Sequence, residues 1–182
     1  TSLHEEATIA SVTPFSAVFN NLVVFDPLKV HETIDTVVPD LAESWSWDPT
    51  NTRLTFKLRQ GVKWHDGAPF TARDVQCTWR MIIGKTEVQD FKRNPRKVWY
   101  SKLQDVSING DFEATFELSE PQPGLPALLA SAFSPVYPCH VPQATMRTKP
   151  VGTGPFRLVE FNRGNSIRLV RNPDYWKKDR PY

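Results

Sequence analysis

The chain has 182 residues, of which 40% are hydrophobic and 23% charged, a balance typical of a globular protein with a buried core. Its formal net charge of +2 is too small to indicate a nucleic-acid-binding protein. No stretch approaches the roughly 20 apolar residues that a membrane-spanning helix requires. The sequence opens at Thr1 without an initiator methionine or an apolar signal segment, so we expect that the native start has been removed.

Charge is distributed unevenly along the chain. Residues 1–52 contain eight acidic side chains and one lysine, whereas residues 147–182 contain nine basic and three acidic side chains. A basic tail that binds phosphates is one interpretation. In this tail, however, the charges alternate with apolar residues, as they do on the solvated face of a strand. We therefore expect the two oppositely charged ends to pack near each other.

The first half of the chain predicts two short helical segments and a strand. Apolar residues recur at helical spacing between residues 14 and 22, which predicts a short helix. Residues 39–44 predict one more turn of helix, leading into Trp45. Between residues 53 and 59 polar and apolar side chains alternate, which predicts a strand with an apolar face. The residues of that face are Leu54, Phe56 and Leu58.

The best-specified helix begins after Thr71. Thr71 and Asp74 have the spacing of a capping box, in which their oxygens accept hydrogen bonds from the first free amides. Phe70 and Val75 stand at the two positions of a hydrophobic staple. The apolar stripe that follows ends at Gly84, a typical C-terminal glycine. These signals predict a structural helix.

Two hairpins are predicted in the second half. Asn109-Gly110 separates two alternating segments, and this pair accepts the positive φ of a tight turn. Residues 156–161 and 166–171 alternate on either side of a polar turn and predict the second hairpin. Between the hairpins, residues 126–130 suit a short helix with proline in its first turn. The fold class is therefore mixed α and β.

The two cysteines allow one disulfide at most. Cys77 falls inside the predicted helix and Cys139 lies in a loop after Pro138, and their spacing does not indicate that they meet. We therefore take two buried free thiols as the default state.

No motif predicts catalysis or metal binding. His65-Asp66 is a candidate acid–base pair, but adjacent residues in an extended segment point apart, so we interpret it as a polar turn before the helix. Cys139-His140 lacks the second ligand pair of a structural zinc site. The segment 152–155, Gly-Thr-Gly-Pro, lacks the lysine and the following helix of a phosphate-binding loop, so it predicts a turn. We expect no catalytic residues, no metal and no cofactor.

The six tryptophans are candidates for ligand stacking. Four of them lie on predicted elements among apolar neighbours, and for these we expect core packing: Trp45, Trp47, Trp64 and Trp79. Trp99-Tyr100 instead lies in a polar, basic loop after Pro95. This pair is therefore kept as a possible ligand contact.

Five motifs occur in a fixed order along the chain. They are residues 39–45 (Pro-Asp-Leu-Ala-Glu-Ser-Trp), 56–67, 70–75 with Trp79, 150–156 (Pro-Val-Gly-Thr-Gly-Pro-Phe) and 171–176 (Arg-Asn-Pro-Asp-Tyr-Trp). Together they resemble the signature of the peptide/nickel class of ABC-transporter solute-binding proteins, the family of the dipeptide- and oligopeptide-binding proteins. The resemblance covers nearly the whole chain from about Phe19 onward.

The resemblance implies an α/β fold of the periplasmic-binding-protein type II class, in which two lobes close on a ligand. It implies that residues 1–40 and 150–182 form part of lobe I, that residues 41–149 form the family's extra subdomain, and that lobe II and the C-terminal return are absent from this chain. The implied function is capture of a peptide-like solute outside the cytoplasm and its delivery to ABC permease subunits. A monomer is expected, free in the periplasm or anchored as a lipoprotein.

Because ligand-contacting positions vary within this family, the resemblance identifies no binding residue directly. Position in the fold suggests three groups that line the cleft. They are Ser11, Val12 and Thr13 before the first helix, Trp99 and Tyr100 in the basic loop, and Ser131 and Phe133 after the Pro126 helix.

Two alternative functions stay open at this point. Some transcriptional regulators contain a similar domain as a small-molecule sensor; an upstream DNA-binding region would favour that function, and a signal peptide with a lipidated cysteine would exclude it. A hydrolase using His65 and Asp66 would require an identified activity that His65→Ala abolishes. Residues 177–182, which end in a basic, proline-containing stretch, are expected to be disordered.

Overall fold

The computed structural model describes residues 3–86, 91–162 and 164–177. The expectation of disorder at the end of the chain concerns residues that, apart from Lys177, lie outside this range. The α-helices are α1 (Ile9–Val12), α2 (Ala72–Ile83), α3 (Leu125–Ala130) and α4 (Gln143–Met146). The strands are β1 (Val23–Phe25), β2 (Val37–Pro39), β3 (Ala42–Trp47), β4 (Arg53–Leu58), β5 (Leu103–Ile108), β6 (Glu113–Leu118), β7 (Phe156–Asn162) and β8 (Ser166–Arg171).

The strands form three antiparallel sheets in the described part of the chain. The largest has the order β3-β4-β6-β5, and the other two are the pairs β1-β2 and β7-β8. Short 3₁₀ turns at Leu3–Glu5, Thr13–Val18, Ile34–Thr36 and Lys97–Tyr100 connect these elements. The predicted mixture of α and β structure is confirmed.

The main core lies between the four-stranded sheet and α2. The predicted apolar face of β4 is buried, and Phe56 packs against Phe116 of β6 with 5.5 Å between ring centroids. Trp79 of α2 covers Phe116 from above, 4.9 Å away and edge-on. Trp64 is also buried, whereas Trp45 and Trp47 are half-buried and pack against the same core. The prediction of core packing is confirmed for these four tryptophans.

The helix α2 begins and ends where its capping signals predict. Thr71 and Asp74 form both halves of the capping box, with the Thr71 amide donating to Asp74 Oδ2 over 2.9 Å. Phe70 and Val75 are both buried. Gly84 follows the last helical residue with φ of +81°, a backbone conformation that glycine adopts without a Cβ penalty.

The first part of the chain is less helical than expected. The predicted helix at residues 14–22 is shorter than expected: the 3₁₀ turn Thr13–Val18 ends at Val18, and Phe19 is extended. The predicted helical turn at residues 39–44 is wrong, because β2 ends and β3 begins there. The physical reason is the carbonyl of Leu22, which accepts backbone hydrogen bonds from Asp40 and Ala42 over 3.1 and 2.9 Å. These bonds to a distant segment keep the motif extended.

Both predicted hairpins form. In the first, Ile108 pairs with Ala114, so the connection at Asn109 and Gly110 is longer than a two-residue turn, and Gly110 has φ of +65°. In the second, β7 pairs with β8 along its length. The short helix around Pro126 is confirmed as α3.

The expectation of two free thiols is wrong. Cys77 on α2 and Cys139 form a disulfide, with their Cα atoms 5.6 Å apart. Two neighbouring contacts bring the segments together: the Tyr137 amide donates to Thr78 Oγ1 over 2.9 Å, and the Cys139 amide donates to Asp74 Oδ1 over 2.8 Å. Spacing alone contains no information about these contacts.

The oppositely charged ends meet, as predicted. Arg147 binds the carboxylate of Glu5 over 2.8 Å, and Lys177 binds that of Asp40. Both carboxylates are buried, so these ion pairs join the two ends inside the protein.

Candidate functional site

The carboxylate of Asp40 forms the centre of a buried polar cluster. Asp40 is only 1% exposed. Its oxygens accept hydrogen bonds from Asn20 Nδ2 over 3.1 and 3.3 Å and from the Asn21 amide over 3.1 Å, and they pair with Lys177. We call Asp40, Asn20, Thr153, Tyr175 and Lys177 the Asp40 cluster.

Asn20 connects this cluster to two more sequence motifs. Its Oδ1 accepts from Thr153 Oγ1 over 3.1 Å, and its Nδ2 lies 3.3 Å from the hydroxyl of Tyr175. Motifs that are more than 100 residues apart in sequence therefore meet at one buried site. Every member of the Asp40 cluster has a partner within the protein. The role of the cluster is therefore structural: it holds these sequence motifs together.

The His65-Asp66 pair forms the predicted polar turn. His65 Nδ1 accepts from the Gly152 amide over 3.3 Å, so Nε2 bears the proton and donates to the Gly154 carbonyl over 2.9 Å. Burial lowers the pKa of His65 and favours this neutral form. Asp66 points elsewhere: it binds the Ala68 amide over 3.2 Å and His140 Nε2 over 2.7 Å. The two side chains therefore do not form an acid–base pair.

The segment 152–155 forms the predicted turn, and it requires glycine because two backbones approach closely. A Cβ on Gly152 would lie 1.8 Å from the Val18 carbonyl oxygen, and one on Gly154 would lie 2.5 Å from that of Ala17. The Gly154 amide donates to the Val18 carbonyl over 3.0 Å. The glycines therefore dock this turn on the 3₁₀ segment.

Two of the predicted ligand-contacting residues form an aromatic pair. Trp99 and Phe133 are half-buried and pack edge to face, with 5.5 Å between ring centroids and 75° between ring planes. The guanidinium of Arg96 lies 5.4 Å from the Phe133 ring. Phe133 also packs against a second apolar cluster that contains the buried Val12. Phe133 therefore contacts Trp99 and packs against the same apolar cluster that contains Val12.

The other four predicted residues have different surroundings. Tyr100 is buried and its hydroxyl lies 2.8 Å from Ser134 Oγ. Ser131 is half-buried and donates to the Leu128 carbonyl over 2.7 Å at the end of α3. Thr13 is exposed, and the side chain of Ser11 lies outside the described part of the structure. That these seven residues contact the ligand stays a prediction.

Arg96 is a buried residue that sequence reasoning missed. Its Nε donates to the Glu6 carbonyl over 2.8 Å, and its Nη1 contacts the Phe133 carbonyl at 2.5 Å and His4 Nδ1 at 3.1 Å. Burial lowers the pKa of Arg96 to about 10. A single arginine in a basic loop has no sequence signal that distinguishes it from its exposed neighbours.

An apolar groove lies between the 3₁₀ turn at Thr13–Val18, α4 and the β7-β8 hairpin. Its volume is about 270 Å³, and Glu6 and Arg147 add charge at its wall. Apolar residues line most of it, among them Phe15, Phe19, Tyr137, Met146, Phe161 and Ile167. Such a concave apolar surface can bury an apolar group.

The described residues contain neither a candidate metal site nor a candidate membrane-spanning helix. Among residues 3–86, 91–162 and 164–177, no group of three or more His, Cys, Asp or Glu side chains is placed to hold a metal ion. None of the helices described is long and apolar enough to cross a membrane.

The chain is similar to known binding proteins. Residues 36–182 match the family model described as bacterial extracellular solute-binding proteins, family 5 Middle. The oligopeptide-binding protein AppA of Bacillus subtilis is 36% identical over 135 residues, which cover 69% of this chain and 24% of AppA. The di/tripeptide-binding protein 2 of Pseudomonas aeruginosa is 30% identical over 181 residues, which cover 87% of this chain and 33% of the relative.

A solved structure shows the same fold. The PBP AgaA of A. tumefaciens R10, determined in complex with agropinic acid, superposes with a TM-score of 0.81 and 26% identity over 98% of this chain and 35% of AgaA. The chain thus spans about a quarter to a third of the length of these proteins.

Proposed function

Because the chain belongs to family 5 of the bacterial extracellular solute-binding proteins, we propose that it is part of the solute-binding component of an ABC importer. The full protein captures a peptide-like solute outside the cytoplasm and delivers it, without chemical change, to permease subunits in the membrane. The family match over residues 36–182 is the observation that carries this proposal. The relatives named above are binding proteins and give the regulator alternative no support.

The disulfide supports the proposed location outside the cytoplasm. Disulfides such as Cys77–Cys139 persist in secreted and periplasmic proteins and are rare in the cytosol, where thiols are kept reduced. This chemistry supports an extracytoplasmic protein, whether it is free or lipid-anchored.

The proposed two-lobe architecture has support in the β7-β8 hairpin. Four of its apolar side chains are more than a third exposed: Val159, Phe161, Ile167 and Val170. A two-stranded sheet with exposed apolar residues requires a covering layer. We propose that residues 1–40 and 150–182 belong to lobe I, which further residues of the full protein complete, and that residues 41–149 form the inserted subdomain.

A thermal-shift screen tests this function. We expect the full-length protein to be stabilised by one class among dipeptides, longer peptides, nickel chelates, opines and sugars, by several degrees at 100 times the dissociation constant, which corresponds to about 2.7 kcal/mol. The 182-residue chain should show no shift, because it contains only part of the site. No shift of the full-length protein with any class would contradict binding of these solutes; an equal shift of the short chain would contradict the two-lobe site.

Substituting Trp99 tests the candidate site. Trp99→Ala in the full-length protein is expected to raise the Kd of the identified ligand about tenfold or more, since aromatic anchors dominate binding energy. Isothermal titration calorimetry measures the change. Trp47→Ala is the matched control, because Trp47 is also half-buried but lies on β3. Equal effects of both substitutions would exclude a specific contact at Trp99.

A further inference from the structure

His4 is enclosed at the point where three segments of the chain meet. It lies in the 3₁₀ turn Leu3–Glu5 and is 0% exposed. Its Nε2 is 2.9 Å from the Pro135 carbonyl oxygen, and its Nδ1 is 3.1 Å from Arg96 Nη1. A carbonyl only accepts and a guanidinium only donates, so Nε2 carries the proton and Nδ1 presents a lone pair. The geometry therefore requires a neutral imidazole.

The charged and titratable groups around His4 oppose its protonation. Arg96 faces the ring directly, and the ring of Tyr137 packs edge-on at 4.4 Å between centroids. The carboxylates of the same segment are engaged elsewhere, Glu5 with Arg147 and Glu6 with Arg93. Burial and the charge of Arg96 hold the pKa of His4 well below its ordinary value. A second proton would have to bind at Nδ1, where it would face the positive charge of the Arg96 guanidinium.

We propose that His4 is a pH-sensitive latch that fastens residues 3–6 to the segments 91–96 and 133–147 when neutral and releases them when protonated. The released state gains a proton because an exposed histidine has an ordinary pKa. The docked state excludes that proton, because it would break the Arg96 bond and place two cations in contact. Acidification therefore favours release.

Release would free Arg96 and Arg147, which lie beside the candidate ligand site. The backbone carbonyls of Glu5 and Glu6 accept hydrogen bonds from Arg93 and Arg96 over 2.9 and 2.8 Å. The buried carboxylate of Glu5 binds Arg147 and the Lys92 amide, over 2.8 and 2.6 Å. Arg96 adjoins Phe133, and Arg147 lies at the wall of the apolar groove. A fall in pH would thus expose positive charge next to Phe133 and the apolar groove. This pH response does not depend on the proposed function.

Amide hydrogen exchange in the full-length protein measures how readily the N-terminal segment is released. After correction for intrinsic exchange rates, protection of the amides of residues 3–8 is expected to fall about tenfold between pH 7.5 and pH 5.5. His4→Gln retains one donor and one acceptor but does not titrate, so its protection should not change over this range. His31→Gln, at an exposed histidine, should behave as the wild type. Equal pH dependence in wild type and His4→Gln would overturn the proposal.

The ring nitrogens provide a second measurement that does not require a folded variant. In wild-type protein with ¹⁵N-labelled histidine, the ring nitrogen shifts at pH 7.5 should identify the His4 imidazole as neutral and protonated at Nε2. A His4 that is charged at pH 7.5, or protonated at Nδ1, would overturn the proposal directly.

Discussion

Replacing Cys77 and Cys139 together by alanine is expected to lower the free energy of unfolding by about 4 kcal/mol, since the disulfide closes a long loop in the unfolded chain. The two cysteines are 62 residues apart in sequence. The cross-link therefore removes much of the conformational freedom of the unfolded chain, and it also ties α2 to the segment around Tyr137. Urea denaturation of the oxidised wild type and the double variant measures the difference.

Reduction provides the control for this prediction. Dithiothreitol should destabilise the wild type by a similar amount and leave the double alanine variant unchanged. If the wild type and the variant unfold at the same urea concentration, and dithiothreitol affects neither, the cysteines are not paired and the argument for an oxidising compartment is lost.

Asp40→Ala is expected to lower the free energy of unfolding by about 3 kcal/mol or more, because it removes the buried carboxylate that three donors share. The donors are Asn20 Nδ2, the Asn21 amide and the ammonium group of Lys177. Asp40→Asn should cost less, since it keeps the shape and one acceptor oxygen while it removes the charge. Chemical denaturation of the wild type, Asp40→Ala and Asp40→Asn measures the order of their free energies of unfolding.

An exposed carboxylate is the matched control for Asp40. Glu32 lies on the surface, so Glu32→Ala should change the free energy of unfolding by less than about 0.5 kcal/mol. An effect of Asp40→Ala as small as that of Glu32→Ala would contradict the structural role assigned to the Asp40 cluster.

Local interactions explain the elements that could be predicted. The capping box of Thr71 and Asp74 and the terminal glycine at position 84 act within one helical turn of the ends that they define. The alternation of residues 53–58 specifies which face of β4 is buried, because successive side chains of a strand point to opposite faces. The five motifs were also sufficient to identify the family, since their order and spacing are properties of the sequence itself.

Contacts between distant residues explain the elements that could not be predicted. The carbonyl of Leu22 makes residues 39–44 extended, and the hydroxyl of Thr78 helps to bring Cys139 to Cys77. Neither influence is visible in the local pattern.

The sequence by itself determined the mixed α/β class, the position of α2 and of both hairpins, and membership of the solute-binding family. Only the tertiary structure decided that the cysteines pair, that Tyr100 packs inside while Trp99 stays half-buried, and that His4 contacts Arg96. The reason is that capping, alternation and turn preferences act over a few residues. A disulfide or a buried hydrogen bond depends instead on two segments that the fold brings together from positions 62 to 92 residues apart.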